Sequence, residues 1–163
     1  MFREVRLPQG VHGRLFLHAM PARTETWAEF VAVARAHGLT RMVSLTAEAE
    51  IAQKSAAYAE AVRRGELPCT RVSLPVPDFG VPEERTAFAE LSREVAAQLR
   101  AGERVLVHCG AGIGRTGMFA ACVLIALGLS AQEALAVVRA AGSAPETEEQ
   151  RALVSACAEL GAT

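Results

Sequence analysis

The stretch RVLVHCGAGIGRTGMFAACVLIAL, residues 104–127, restricts the fold more than any other part of the chain. It opens with a short β-type run, RVLVH, continues through four glycines at positions 110, 112, 114 and 117, and closes in RTGMFAACVLIAL, which is apolar on nearly every side. A strand of this kind is buried on both faces, and a helix apolar all round is buried too. Layers are therefore needed above and below, as in an α/β sheet covered by helices.

Four further β-type runs fit that reading: REVRL (3–7), RLFLHA (14–19), RMVSL (41–45) and TRVSL (70–74). Helical patterns lie between them. The first spans about Thr24 to His37 and stops at Gly38, the second about Glu48 to Arg64 before Gly65, and the third Pro82 to Gly102. Two capping boxes, Ser130 with Glu133 and Thr147 with Gln150, announce the last two helices. With no repeat, low-complexity tract or long linker, residues 1–163 read as a single α/β domain. Its central, mostly parallel sheet has about five strands flanked by helices. Ligands of such sheets sit beyond the carboxyl ends of the strands, so the turns after residues 19, 45, 74 and 108 share one rim.

Gly112, Gly114 and Gly117 spell G-x-G-x-x-G, but no strand follows downstream to complete a dinucleotide unit. No Lys-Ser/Thr pair follows the glycines either, which removes a Walker loop. The turn instead has its own chemistry. Cys109 stands where strand gives way to helix, and the N–H groups of Gly110, Ala111, Gly112, Ile113, Gly114 and Arg115 can ring an anion above its sulfur. Arg115 adds a planar fork suited to two oxygens of a phosphate. A thiol nucleophile inside an oxyanion cradle is a phosphoryl-transfer site.

His108-Cys109-x5-Arg115-Thr116 resembles H-C-x5-R-[ST], the signature of cysteine-dependent protein tyrosine phosphatases. The chain length and the short segment before the motif resemble the compact dual-specificity branch. The resemblance implies hydrolysis of phosphomonoesters through a cysteinyl phosphate on Cys109. It implies that Thr116 hydrogen-bonds the sulfur and that His108 orients the loop, although a buried histidine satisfied in place is an equal reading. It assigns the general acid to an aspartate on a loop about 30 residues upstream, which here is Asp78 in LPVPDFGVP. No metal or cofactor is implied.

Net charge is −1 and pI about 6.4, no footprint for nucleic acid or an anionic membrane. The charged start MFREVR lacks the apolar run of an export signal, and scattered cysteines lack zinc spacing, so a cytoplasmic protein with reduced thiols is expected. A loop without lysine favours phosphotyrosine, and a shallow pocket admits phosphoserine and phosphothreonine, so the expected partner is a phosphorylated protein or peptide. Alternatives are a phosphoinositide, an RNA 5′ end or a small metabolite, a sulfurtransferase-like or arsenate-reducing activity, or phosphate binding without turnover. Compact relatives imply a monomer. In the family's late loop the water-positioning glutamine stands just before the threonine, a slot filled here by Glu146. Gln150 is therefore assigned to capping first. Arg23 is expected near the rim, Lys54 and Tyr58 along a helix surface, Trp27 in the core, and Cys122 and Cys157 as inert packing thiols. A redox partnership of Cys69 with the catalytic thiol stays open.

Overall fold

The computed structural model describes residues 1–161. Five strands, β1 (Arg3–Val5), β2 (Arg14–His18), β3 (Arg41–Ser44), β4 (Thr70–Ser73) and β5 (Arg104–His108), form one sheet in the order β1-β2-β5-β3-β4. All neighbours run parallel except β1, which pairs antiparallel with β2 at the edge. The helices are α1 (Trp27–Ala36), α2 (Glu48–Lys54), α3 (Ala56–Arg64), α4 (Arg85–Arg100), α5 (Gly114–Ala126), α6 (Ala131–Ala140) and α7 (Glu148–Gly161).

Alternation along the strands divides the core in two. Leu15, Leu17, Val43, Val105 and Val107 face a layer that holds Phe88 and Val95 of α4, Met118 to Leu124 of α5, Val138 of α6 and Val154 of α7. Phe16, Met42 and Leu106 face the other way, onto Phe30 of α1, Ile51 of α2 and Tyr58 of α3. Helix α5 lies at the centre of the first layer, with Phe119 and Val123 fully buried, as its all-round apolar sequence requires. Gly117 lets it approach the neighbouring loop, since a Cβ there would stand 2.6 Å from the backbone nitrogen of Ala144.

The register aligns His18, His108 and Ser44 across β2, β5 and β3, and Ser44 with Ser73 of β4, so the four parallel strands end on one rim. Two helical expectations need correction. The second helix breaks at Ser55, whose backbone leaves helical geometry and whose Oγ donates to Pro21 O at 2.8 Å. That hydroxyl found a partner across the fold instead of continuing the helix. The third helix begins at Arg85, three residues beyond Pro82. The expected core position of Trp27 is a half-buried one, stacked on Phe30 and Tyr58. Among the described residues, no helix is long and apolar enough to cross a membrane.

Candidate active site

Residues 109–113 turn from β5 into α5 around the sulfur of Cys109, which is 2 % exposed. Thr116 Oγ1 donates to Sγ at 3.0 Å and the Gly112 N–H at 3.3 Å, so the sulfur is an acceptor at the centre of the turn. Gly110, Gly112 and Gly114 are buried or packed inward, while Ala111 and Ile113 present their side chains to solvent. Gly112 has φ +77°, and a Cβ there would lie 2.5 Å from His18 O, so only glycine fits.

The outer side of the turn is braced by two residues with no signature of their own. Arg3 Nη2 and Ser143 Oγ both donate to Gly112 O, each at 2.6 Å, and Arg3 Nη1 also donates to Ser143 Oγ at 2.8 Å. In a trans peptide the carbonyl and the following N–H point oppositely. Holding Gly112 O outward thus aims the Ile113 N–H toward the inside of the turn.

Arg115, 2 % exposed, is positioned by Glu50 of α2. Nη1 and Nη2 donate to Glu50 Oε1 and Oε2 at 2.8 and 2.9 Å, and Nη1 also donates to Val76 O at 3.1 Å. The guanidinium's end edge is thereby filled. Its side edge, Nε–H with the second Nη2–H, has no hydrogen-bond acceptor among the described residues and matches two oxygens of a phosphate. The Arg115 hydrogen bonds, helped by Lys54 Nζ at 2.9 Å, hold the Glu50 carboxyl down at about 2.

Behind the turn, donors and acceptors close into a chain. Cys109 O can only accept, so His108 Nδ1 donates to it at 3.1 Å. Burial keeps the ring neutral, with its pKa down to about 3. Nε2 therefore accepts from Tyr58 OH at 2.8 Å, and Tyr58 OH accepts from Arg71 Nε at 3.0 Å. His108 is both buried and fully satisfied.

Asp78 lies on the loop after β4. Its Oδ1 is 3.3 Å from Arg115 Nη2, an ion pair rather than an aligned hydrogen bond, and its side chain is 53 % exposed. The next residue, Phe79, has φ +60° in a turn closed by Gly80 N donating to Pro77 O at 2.9 Å. Gln150 ties this loop down, because its Nε2 donates to Gly80 O at 3.0 Å while its Oε1 accepts from Glu146 N at 2.7 Å.

The structure thus brings together Cys109, Arg115, Thr116 and Asp78, with His108 behind them. It places other residues differently from expectation. The Thr147 and Gln150 pair is half a capping box: Thr147 Oγ1 accepts from Gln150 N at 3.2 Å, but the glutamine side chain serves Glu146 and the acid loop. Tyr58 is fully buried, and Lys54 pairs with Glu50 beside Gly110, so neither is surface packing. Arg23 is exposed on the loop after β2. Cys69 precedes β4 at the far end of the sheet, about 16 Å from Cys109 along the strands by register. That separation rules out a direct disulfide. Sequence reasoning missed Glu50, Arg3, Ser143 and Arg71. For Glu50 one signal was available, namely an acid spaced four residues before the chain's only lysine.

A nucleophile-bearing turn between a central strand and a buried helix, faced by an arginine and an aspartate loop, defines the class of cysteine-dependent phosphatases. Residues 11–159 match the family described as Swiss Army Knife protein, DSP-PTPase phosphatase domain, and the chain belongs to that family. It is a dual-specificity-type cysteine phosphatase domain. The crystal structure of Tk-PTP in the active form is similar at 31 % identity and TM-score 0.72, covering 91 % of this chain and 94 % of that one. Kinase associated phosphatase, crystallised with serine for its catalytic cysteine, has TM-score 0.83 at 18 % identity, covering 100 % and 96 %, a likeness of fold. Cyclin-dependent kinase inhibitor 3 of Rattus norvegicus is 36 % identical over 67 residues, 40 % of this chain. The matching stretch spans 31 % of that curated relative's length.

Proposed function

We propose that this phosphatase hydrolyses phosphotyrosine in protein chains, and phosphoserine and phosphothreonine more slowly, as a monomer. Cys109 attacks phosphorus while the amides of Gly110 to Arg115 and the side edge of Arg115 hold the equatorial oxygens. A phosphate oxygen on Arg115 Nη2 displaces Asp78, whose carboxylate, released from the ion pair, takes up a proton from solvent and passes it to the leaving oxygen. In the second step Asp78 takes a proton from water, and Thr116 stabilises the departing sulfur. The whole chain, residues 1–163, is read as this one domain.

One observation carries the substrate choice. Only three large hydrophobic side chains are exposed among the described residues, Met1, Phe79 and Ile113. Phe79, 60 % exposed, follows Asp78, and Ile113, 41 % exposed, rides on the phosphate loop. Each adjoins a residue of the proposed centre in sequence, and the left-handed backbone of Phe79 is one that favours glycine. An exposed aromatic kept in that conformation next to the proposed acid supports a planar phenyl ester as substrate. Similarity to a kinase associated phosphatase and to a cyclin-dependent kinase inhibitor supports a protein substrate. One feature favours a second reading, a substrate with an additional phosphate: Lys54 Nζ would lie 3.2 Å from a Cβ on Gly110, at the loop's edge.

The test is metal-free hydrolysis of p-nitrophenyl phosphate, then of phosphotyrosine and phosphothreonine peptides against a phosphoinositide. The proposal expects loss of turnover in Cys109→Ser and Arg115→Ala, and phosphotyrosine peptide preferred by at least about tenfold in kcat/KM. Preference for the phosphoinositide, lost in Lys54→Met, would select the second reading. Phosphate binding without any turnover would overturn both.

A further inference from the structure

Outside the catalytic centre, two of the described cysteines stand in contact. Cys122 of α5 and Cys157 of α7 place their sulfurs 2.9 Å apart, 35 residues apart in sequence. The S–S bond of a disulfide is about 2.05 Å, so the two sulfurs are roughly 0.9 Å from bonding distance. Both line a cavity of about 320 Å³ with Ser92, Arg93 and Ala126, but Cys122 is 1 % exposed whereas Cys157 is half-buried. Cys157 is therefore the more solvent-accessible of the two and Cys122 the more enclosed.

Their positions in the fold give the pair a meaning. Cys122 follows Arg115 by seven residues on α5, and Cys157 follows Gln150 by seven on α7. Seven residues are two helical turns, about 10 Å, on nearly the same face. The first turn of α5 carries the phosphate-binding arginine, and the first turn of α7 carries the glutamine that ties down the acid loop. A bond between the cysteines would join these two supports beneath the site.

We propose that Cys122 and Cys157 are a peroxide-responsive dithiol that closes into a disulfide and clips α5 to α7. Cys157 is the attacking thiolate, since it accepts from the Cys122 thiol and faces Arg93, both of which lower its pKa against burial. Its sulfur attacks one oxygen of hydrogen peroxide; the O–O bond breaks, and the departing hydroxide takes a proton to leave as water. The Cys122 thiol gives up its proton and its sulfur attacks the resulting sulfenic acid, breaking the S–O bond and releasing a second water. The two thiols supply the two electrons that the peroxide consumes.

Reduced protein carrying Cys109→Ser, which removes the catalytic thiol as a competitor, is treated with equimolar hydrogen peroxide. The expected result is a mass loss of about 2 Da, two hydrogens, with one bridged peptide pair containing Cys122 and Cys157. Tm rises by about 5–10 °C, because the bridge closes a long loop, and dithiothreitol reverses it. The further change Cys157→Ala, small and apolar in a half-buried place, abolishes both effects. A Cys157 that goes to sulfinic acid unbridged, thiols that stay reduced, or a bridge that leaves Tm unchanged would each overturn the proposal.

Discussion

Glu50 grips both terminal nitrogens of Arg115, at 2.8 and 2.9 Å, from 65 residues away. The pair decides which edge of the guanidinium faces the phosphate loop. A carboxylate that fixes a fork in this way acts on geometry, and a misplacement of about 1 Å costs on the order of 10²-fold in rate. Glu50→Ala is therefore expected to lower kcat/KM for p-nitrophenyl phosphate by about 10²-fold and to weaken inhibition by inorganic phosphate. Glu50→Asp, one methylene short, should restore less than half of that loss in log units; full activity in Glu50→Ala would show that Arg115 needs no such partner.

Arg3 acts on the turn through a single carbonyl. Its removal in Arg3→Met leaves Gly112 O with Ser143 alone and frees the 112–113 peptide to rotate. Steady-state kinetics should show kcat/KM down by about tenfold, below the roughly 10²–10³ of a donor lost outright, because the amide stays and only its aim loosens. Arg3→Lys should recover part of it. Unchanged kinetics with an unchanged Tm would remove Arg3 from the loop's support.

Replacing Asp78 by asparagine removes a transferable proton while keeping shape. General acids contribute about 10²–10⁴ in rate. The loss should be larger on phenyl phosphate, whose leaving oxygen needs the proton, than on p-nitrophenyl phosphate. Equal losses on both esters would move the acid elsewhere.

Burial holds His108 neutral, so its folded pKa of about 3 lies below the unfolded value of about 6.5. The unfolded chain then binds the extra proton as pH falls, and stability is lost from about pH 6.5 downward, by up to about 1.4 kcal/mol per pH unit for this group. His18, also lowered by burial, adds in the same sense, and Glu50 joins only below its ordinary value of 4.5, down to about 2. Urea unfolding at pH 7, 6, 5 and 4 should show that decline. A shallower slope is expected in His108→Asn between pH 6 and 4.5, and parallel slopes would locate the proton uptake in other groups.

Gly117→Ala puts a methyl group against the backbone of Ala144 inside a filled layer. Overpacking of that kind costs about 1–3 kcal/mol. Thermal unfolding should show a Tm lower by roughly 3–10 °C.

What could be read from the sequence was what short spans encode. Strands such as RVLVH and TRVSL carry their own pattern, the Ser130 and Glu133 box spans one turn, and Cys109 to Arg115 lies within a single loop. Asp78 was singled out by the resemblance, which expects an aspartate on a loop about 30 residues before the cysteine, and the proline-rich loop after β4 offers one. Glu50, Arg3 and Tyr58 act at residues 65, 109 and 50 positions away, where spacing says nothing. The break at Ser55 was invisible for the same reason. EAEIAQKSAAYAEAVRR holds no glycine or proline, and the competing acceptor, Pro21 O, comes from another part of the chain.

The alternation around the turn, with Ala111 and Ile113 outward and Gly112 and Gly114 inward, has an evolutionary corollary. Apart from Arg115, the receptor proposed for the phosphate is made of main-chain N–H groups, which every non-proline residue possesses. Mutation can therefore redraft the two outward letters, and the exposed Phe79, without rewriting the proposed reaction. A lineage built on this scaffold can trade one clientele for another in a few steps, and descendants with nearly identical catalytic turns need share no customers.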